Sequence, residues 1–154
     1  MEKAAHILKP NGLFLCETPN IASWDAEFFK KSGHWGGYHF PRHWTFFTPV
    51  IIQELGNKFG LTAVEIKYFP VPIFWIWTFH SIIFRVTKNK RIADTLFPLL
   101  ENKNNFFFSF ILKTNFTLWD YVILALTGKT TLMCVFFRKK ASGKAPNSIS
   151  TIKT

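Results

Sequence analysis

A chain of 154 residues is long enough for one domain with a core of its own. Its composition leans two ways at once, with 19 phenylalanines inside an aromatic share of 18% and a formal net charge of +10. Its two cysteines, Cys16 and Cys134, sit in separate apolar runs with no Cys-x-x-Cys pair or Cys/His cluster, which argues against zinc and against a disulfide framework.

Residues 2–8 read as the last turns of a helix, stopped by Lys9 and the Pro10-Asn11-Gly12 turn. Residues 13–16 form a short unbroken apolar run, the pattern of a strand buried on both faces. Glu17, Thr18, Pro19 and Asn20 close it, since proline halts a ladder and asparagine favours a turn. Residues 23–47, dense in Trp, His, Gly and Phe, read as loop. Thr48 then offers an N-cap and Pro49 a first helical position, with Ile51, Ile52, Leu55 and Phe59 at helical spacing and Gly60 past the end.

Residues 62–69 alternate Ala63, Glu65, Lys67 and Phe69 against Thr62, Val64, Ile66 and Tyr68, as a half-exposed strand does. Residues 74–86 and 92–100 predict helices, and 106–126 predict one or two more with a break near Asn115. Residues 130–137 read as a final strand that closes on Arg138, Lys139 and Lys140. Residues 141–154, rich in Ser, Lys, Gly and Pro, read as a disordered basic tail.

No run reaches the ~20 uninterrupted apolar residues that a spanning helix needs. The nearest, 68–86 and 106–126, are broken by Pro70, Pro72 and His80 and by Lys113, Asn115 and Asp120. The opening MEKAAHILKPNG has no signal-peptide core, so a cytoplasmic chain is expected, with peripheral membrane association open to it. A basic, aromatic-rich chain suits nucleic acid or an anionic membrane surface. Its aromatics fall in apolar clusters instead of being interleaved with basic residues. That favours the membrane and gives no expectation of nucleic acid.

The order LKPNG, buried strand, TPN, aromatic loop, capped helix, GL, strand resembles the second half of class I S-adenosylmethionine-dependent methyltransferases. LKPNGLFLCETPN is similar to the turn and fifth strand of that fold. HWGGYHFPRHWTFFTPVIIQELGNKFGLTAVEI is similar to the substrate-side loop, next helix and sixth strand of its small-molecule branch, related to quinone-biosynthesis enzymes. TTLMCVFFRKK corresponds to the seventh strand, antiparallel between the other two. The resemblance implies an α/β architecture: a partial Rossmann-like sheet (strands five, seven, six) over residues 1–140, with a helical, aromatic-rich cap inserted at 73–128.

It also implies methyl transfer to a small, hydrophobic, oxygen- or carbon-centred acceptor. One departure dominates. The family's glycine-rich turn after a first strand, which grips S-adenosylmethionine, has no counterpart here; Gly36-Gly37 and Gly12 do not follow a strand and open a helix. The expectation is therefore a substrate-side portion, inactive alone, whose first strand exposes an edge able to pair with another chain. The alternative is a non-catalytic module that binds membrane surfaces.

Thr18 and Asn20 follow the carboxyl end of a strand, where open α/β sheets place ligands, and by resemblance they border a substrate mouth. An ordinary turn explains them equally. His39, Arg42 and His43 lie in GYHFPRHW. His43 corresponds to a histidine at the matching place in related enzymes and is the candidate catalytic base, and Arg42 and His39 are candidates for substrate binding. Loop-pinning hydrogen bonds are the competing explanation for all three. Trp75, Trp77, Phe74 and Phe79 suit a lipid-like pocket, a membrane contact or a plain hydrophobic cap.

Overall fold

The computed structural model describes residues 1–38, 43–99 and 105–140. The chain is mixed α/β, with a three-stranded antiparallel sheet and six α-helices among the described residues. The expected tail at 141–154 lies outside them, and the helix expected at 92–100 ends already at Leu96, before Pro98, with only residue 100 of it outside them.

Helix α1 (Glu2–Ile7) ends at a turn in which Asn11 takes a left-handed φ of 62° and the Gly12 amide donates to Lys9 O at 2.9 Å. Strand β1 (Leu13–Pro19) follows and runs past the expected stop at Glu17 as far as Pro19. Helix α2 (Trp24–Phe29) and two 3-10 turns, Lys30–Ser32 and Gly36–Tyr38, occupy the stretch read from sequence as loop. Trp, Phe and Gly at irregular spacing gave no helical period to detect.

Helix α3 (Pro49–Lys58) begins as its sequence requires, with Thr48 Oγ1 accepting from the Ile51 amide at 3.2 Å and Pro49 in the first turn. Strand β2 (Leu61–Phe69), helices α4 (Pro72–Thr87), α5 (Lys90–Leu96) and α6 (Phe106–Thr127), and strand β3 (Leu132–Lys139) complete the order. The expected break in α6 does not occur. Asn115 instead donates to the Ile111 carbonyl one turn back at 2.8 Å, leaving the helix continuous.

The sheet order is β1-β3-β2, with β3 antiparallel to both neighbours, so β1 and β2 run in the same direction. Phe14, Cys16 and Thr18 pair with Phe137, Val135 and Met133, and these residues share one face. That face carries the core: Met133, Val135 and Phe137 pack with Ile52 of α3, Ala5 of α1 and Leu61. Gly56 lets α3 approach, because a Cβ there would lie 2.3 Å from the Phe137 ring.

Two sequence expectations need correction here. Strand β1 is not buried on both faces, since Leu13 and Leu15 are 57% and 52% exposed on the side opposite the core. The alternation read for residues 62–69 also breaks. A bulge between Ala63 and Glu65 leaves Val64 out of the ladder, so Ala63, Ile66 and Tyr68 all reach the core side. Cys16 and Cys134 occupy opposite faces of paired strands and stay free thiols, each made harder to ionise by burial.

Candidate functional site

The loop leaving β1 is built around Asn20, which is fully buried. Its amide donates to Thr131 O at 2.7 Å, its Nδ2 to Thr130 O at 3.2 Å, and its Oδ1 accepts from the Ala22 amide at 3.0 Å. Asn20 therefore ties the exit of β1 to the entry of β3, a junction that side-chain amides make well because they both donate and accept. Thr18, also buried, faces the core side, with its hydroxyl 3.5 Å from Pro19 O.

The Ile21 amide donates to Phe47 O at 3.1 Å, and Asn20 bridges to Phe47 in parallel. This pairing lays the segment after the aromatic loop along the carboxyl end of β1. His43, half-buried, stands four residues upstream of Phe47 on that segment. The sequence candidates Thr18 and Asn20 thus belong to one end of the sheet, and Phe47, four residues after the candidate His43, is laid beside them. His39 and Arg42 lie outside the described residues.

Helix α2 starts just beyond this junction and is fixed to the next loop by a buried pair, Trp35 Nε1 donating to Asp25 Oδ2 at 2.7 Å. Gly36 sits hard against α4: its amide donates to Thr78 Oγ1 at 2.8 Å, and a Cβ would fall 2.0 Å from the Phe74 carbonyl oxygen. Trp35, Tyr38 and Phe46 close the loop as an aromatic trio, with ring centroids 5.3 to 5.9 Å apart.

Helices α4 and α6 are locked together by Asp120. Its Oδ1 accepts from Trp75 Nε1 at 2.7 Å and its Oδ2 from the Val71 amide at 2.8 Å. Burial holds this carboxyl above the ordinary aspartate range, against those two hydrogen bonds, which pull it down. Between α2, α4 and α6 opens an apolar hollow of about 390 Å³. Its walls include Trp24, Phe29, Trp75, Phe79, Phe116 and Trp119, and Trp75 and Phe79 stack on Phe116 at 6.0 and 5.7 Å. Asn115 is the one lining side chain that carries an amide. Such a hollow favours a flat or chain-like apolar ligand. Sequence reasoning singled out Trp75 and Phe79 but missed α2 and Phe116, which complete the walls from distant stretches.

A second hollow of about 500 Å³ carries polar groups that sequence reading passed over. His34 Nδ1 lies 2.6 Å from Ser81 Oγ, and His80 Nε2 lies 2.9 Å from Asp94 Oδ1. Arg85 approaches His34 Nε2 at 3.5 Å, which favours the tautomer with its proton on Nδ1, donating toward Ser81. That polarity leaves Ser81 without a base. Asp94 is held low by Lys90 and His80. His34 and Ser81 are 47 residues apart, so no local motif could have announced the pair.

Among the described residues, the pair Gly36-Gly37 does not fit a cofactor grip for S-adenosylmethionine. The adjacent glycines that might have cradled it are buried, Gly36 against Phe74 and Gly37 under the Trp35 ring, where a Cβ would lie 2.4 Å away. No group of three or more His, Cys, Asp or Glu able to hold a metal ion occurs among the described residues.

No protein-family model matches the chain, and no curated protein matches it. Among solved structures, a chain described as a candidate sarcosine dimethylglycine methyltransferase from Galdieria sulphuraria aligns with 90% of this chain at 14% identity and a TM-score of 0.37. This chain spans 46% of that one. At that identity and score the likeness assigns neither a family nor an activity.

Proposed function

We propose that this chain is the acceptor-side portion of an S-adenosylmethionine-dependent methyltransferase domain, acting on a small hydrophobic acceptor. The observation that carries the reading is the sheet order. Strand β3, last in sequence, lies in the middle and antiparallel to both neighbours, the arrangement the family resemblance requires of its fifth, seventh and sixth strands. The LKPNG turn, the capped helix α3 and the helices between β2 and β3 fall in the matching order.

In this reading the carboxyl end of β1 borders the acceptor, and His43 takes a proton from an acceptor hydroxyl. Arg42 and His39 orient its polar end, Thr18 and Asn20 shape the floor, and the hollow beside Trp75 and Phe116 receives its apolar part. In this reading donor binding belongs to strands that pair with the open edge of β1.

Equilibrium dialysis with labelled S-adenosylmethionine, beside a titration of tryptophan fluorescence with a short-chain prenylated phenol, tests the reading. The purified chain should retain no cofactor, and the phenol should quench saturably, with quenching weakened about tenfold or more in Phe116→Ala. Micromolar cofactor binding by the chain alone would overturn the division of labour. Absence of saturable quenching would remove the acceptor site.

A further inference from the structure

The outward side of α6 is the most unusual surface of the molecule. A helix lying on a water-soluble core presents polar residues to solvent. Here Phe107, Phe110, Leu118, Tyr121 and Leu126 point outward at 74%, 58%, 60%, 55% and 80% exposure. Of the two charged side chains in this 22-residue helix, Asp120 is buried and Lys113 half-buried, and the polar residues exposed at its middle are the neutral Thr114 and Asn115. The apolar stripe continues across Trp119, 47% exposed, to the mouth of the aromatic hollow, where Trp24 and Phe28 are 43% and 69% exposed. Patches of this extent mark a surface that is covered in use.

Charge identifies the cover. Asp120 meets Val71 and Trp75, and Phe116 meets Phe79, so α4 and α6 run antiparallel. The end of α4 and the start of α5 therefore stand near the first turns of α6. Arg85, Lys88, Lys90 and Arg91 are all exposed there. Among the described residues of α4 and α5 the acid beside them is Asp94, which Lys90 engages at 2.7 Å. At the other end of α6, exposed Lys129 follows directly. A largely apolar face about 33 Å long, from 22 residues at ~1.5 Å each and interrupted at its middle by Thr114, is thus flanked at both ends by cations.

We propose that this face seats α6 in the plane of an anionic bilayer surface. Phe107, Phe110 and Leu118 would enter the acyl boundary, Trp119 and Tyr121 would lie at headgroup level, and the flanking cations would rest on phosphates. Crossing the bilayer is not part of this arrangement, because no helix among the described residues is long and apolar enough to span it. The face is distinct from the junction at Asn20 and His43, and the proposal stands whether or not the chain serves methyl transfer.

Vesicle co-sedimentation with the whole chain tests this. It should partition onto vesicles with phosphatidylglycerol and far less onto pure phosphatidylcholine. The triple variant Lys88→Gln, Lys90→Gln, Arg91→Gln should weaken binding, by roughly fivefold per removed charge. The exposed-site variant Phe107→Glu with Leu118→Glu should weaken it about tenfold or more, with an unchanged far-ultraviolet circular dichroism spectrum confirming the fold. Depth-dependent quenching of tryptophan by spin-labelled lipids should place Trp119 shallow, read as the difference from Trp119→Phe. Equal binding to neutral and anionic vesicles would overturn the electrostatic part. Sedimentation equilibrium showing a dimer that Phe107→Glu dissolves, with no vesicle binding, would make the face a contact between copies and overturn the proposal.

Discussion

Asp120 shows how one residue can organise two helices that sequence reading treats separately. Its carboxylate takes hydrogen bonds from Trp75 Nε1 and the Val71 amide, and burial raises its pKa. A raised carboxyl pKa means that the folded state holds the proton more tightly than the unfolded chain. The contribution of this group to stability is therefore largest at acid pH and falls as pH climbs from the ordinary aspartate value, ~3.9, through the raised one. Asp120→Asn keeps one acceptor but turns an NH₂ toward the second donor, costing about 1–3 kcal/mol. Urea unfolding of both proteins from about pH 4 to pH 7 should show the gap between them narrowing as pH rises. A gap that widens would mean that the carboxylate is stabilised, not strained, by its surroundings. In sequence, Asp120 looked only like an interruption of an apolar run; its partners, 45 and 49 residues away, supply its meaning.

Among the elements, those with local chemical signals were the most legible. The Thr48-Pro49 cap and Gly60, with its φ of +73°, bound α3 closely as expected. The middle position of β3 was foreseen through family resemblance, not through periodicity. Helix α2 and the two 3-10 turns escaped because buried aromatics, not a repeating face, hold them. The bulge at Val64 escaped because strict alternation of side chains assumes an unbroken ladder. Among the site candidates, Asn20 was noticed for the right turn chemistry, while the bonds that make it a junction run to Thr130 and Thr131, far along the chain. The contact between α3 and β3 depends on Gly56, whose absent side chain leaves room for Phe137. Gly56→Ala should lower stability by about 1–3 kcal/mol through overpacking, despite alanine's better helix propensity. A denaturant midpoint at or above that of the parent would show that Phe137 has room to move.

At the scale of the molecule, the sheet is lopsided. One face is covered by α1 and α3, while the other exposes Leu13 and Leu15 beside the charged side chains of Glu17, Glu65, Lys67 and Arg138. Among the described residues β1 pairs with β3 alone, so one of its edges has no strand beside it. Both the proposed dependence on further strands and the reading as an acceptor-side portion rest on that edge. The bilayer-facing stripe of α6 is a separate exposed surface and makes separate demands.

The open edge is tested most directly by amide hydrogen exchange, followed residue by residue on the monomer at low concentration. Antiparallel pairing on one side protects every other amide of an edge strand and leaves the rest to solvent. Strand β1 should therefore alternate slow and fast exchange from Leu13 to Thr18, while β3, paired on both sides, is slow throughout. Uniformly slow exchange along β1, or fast exchange along β3, would contradict the half-sheet on which this account stands.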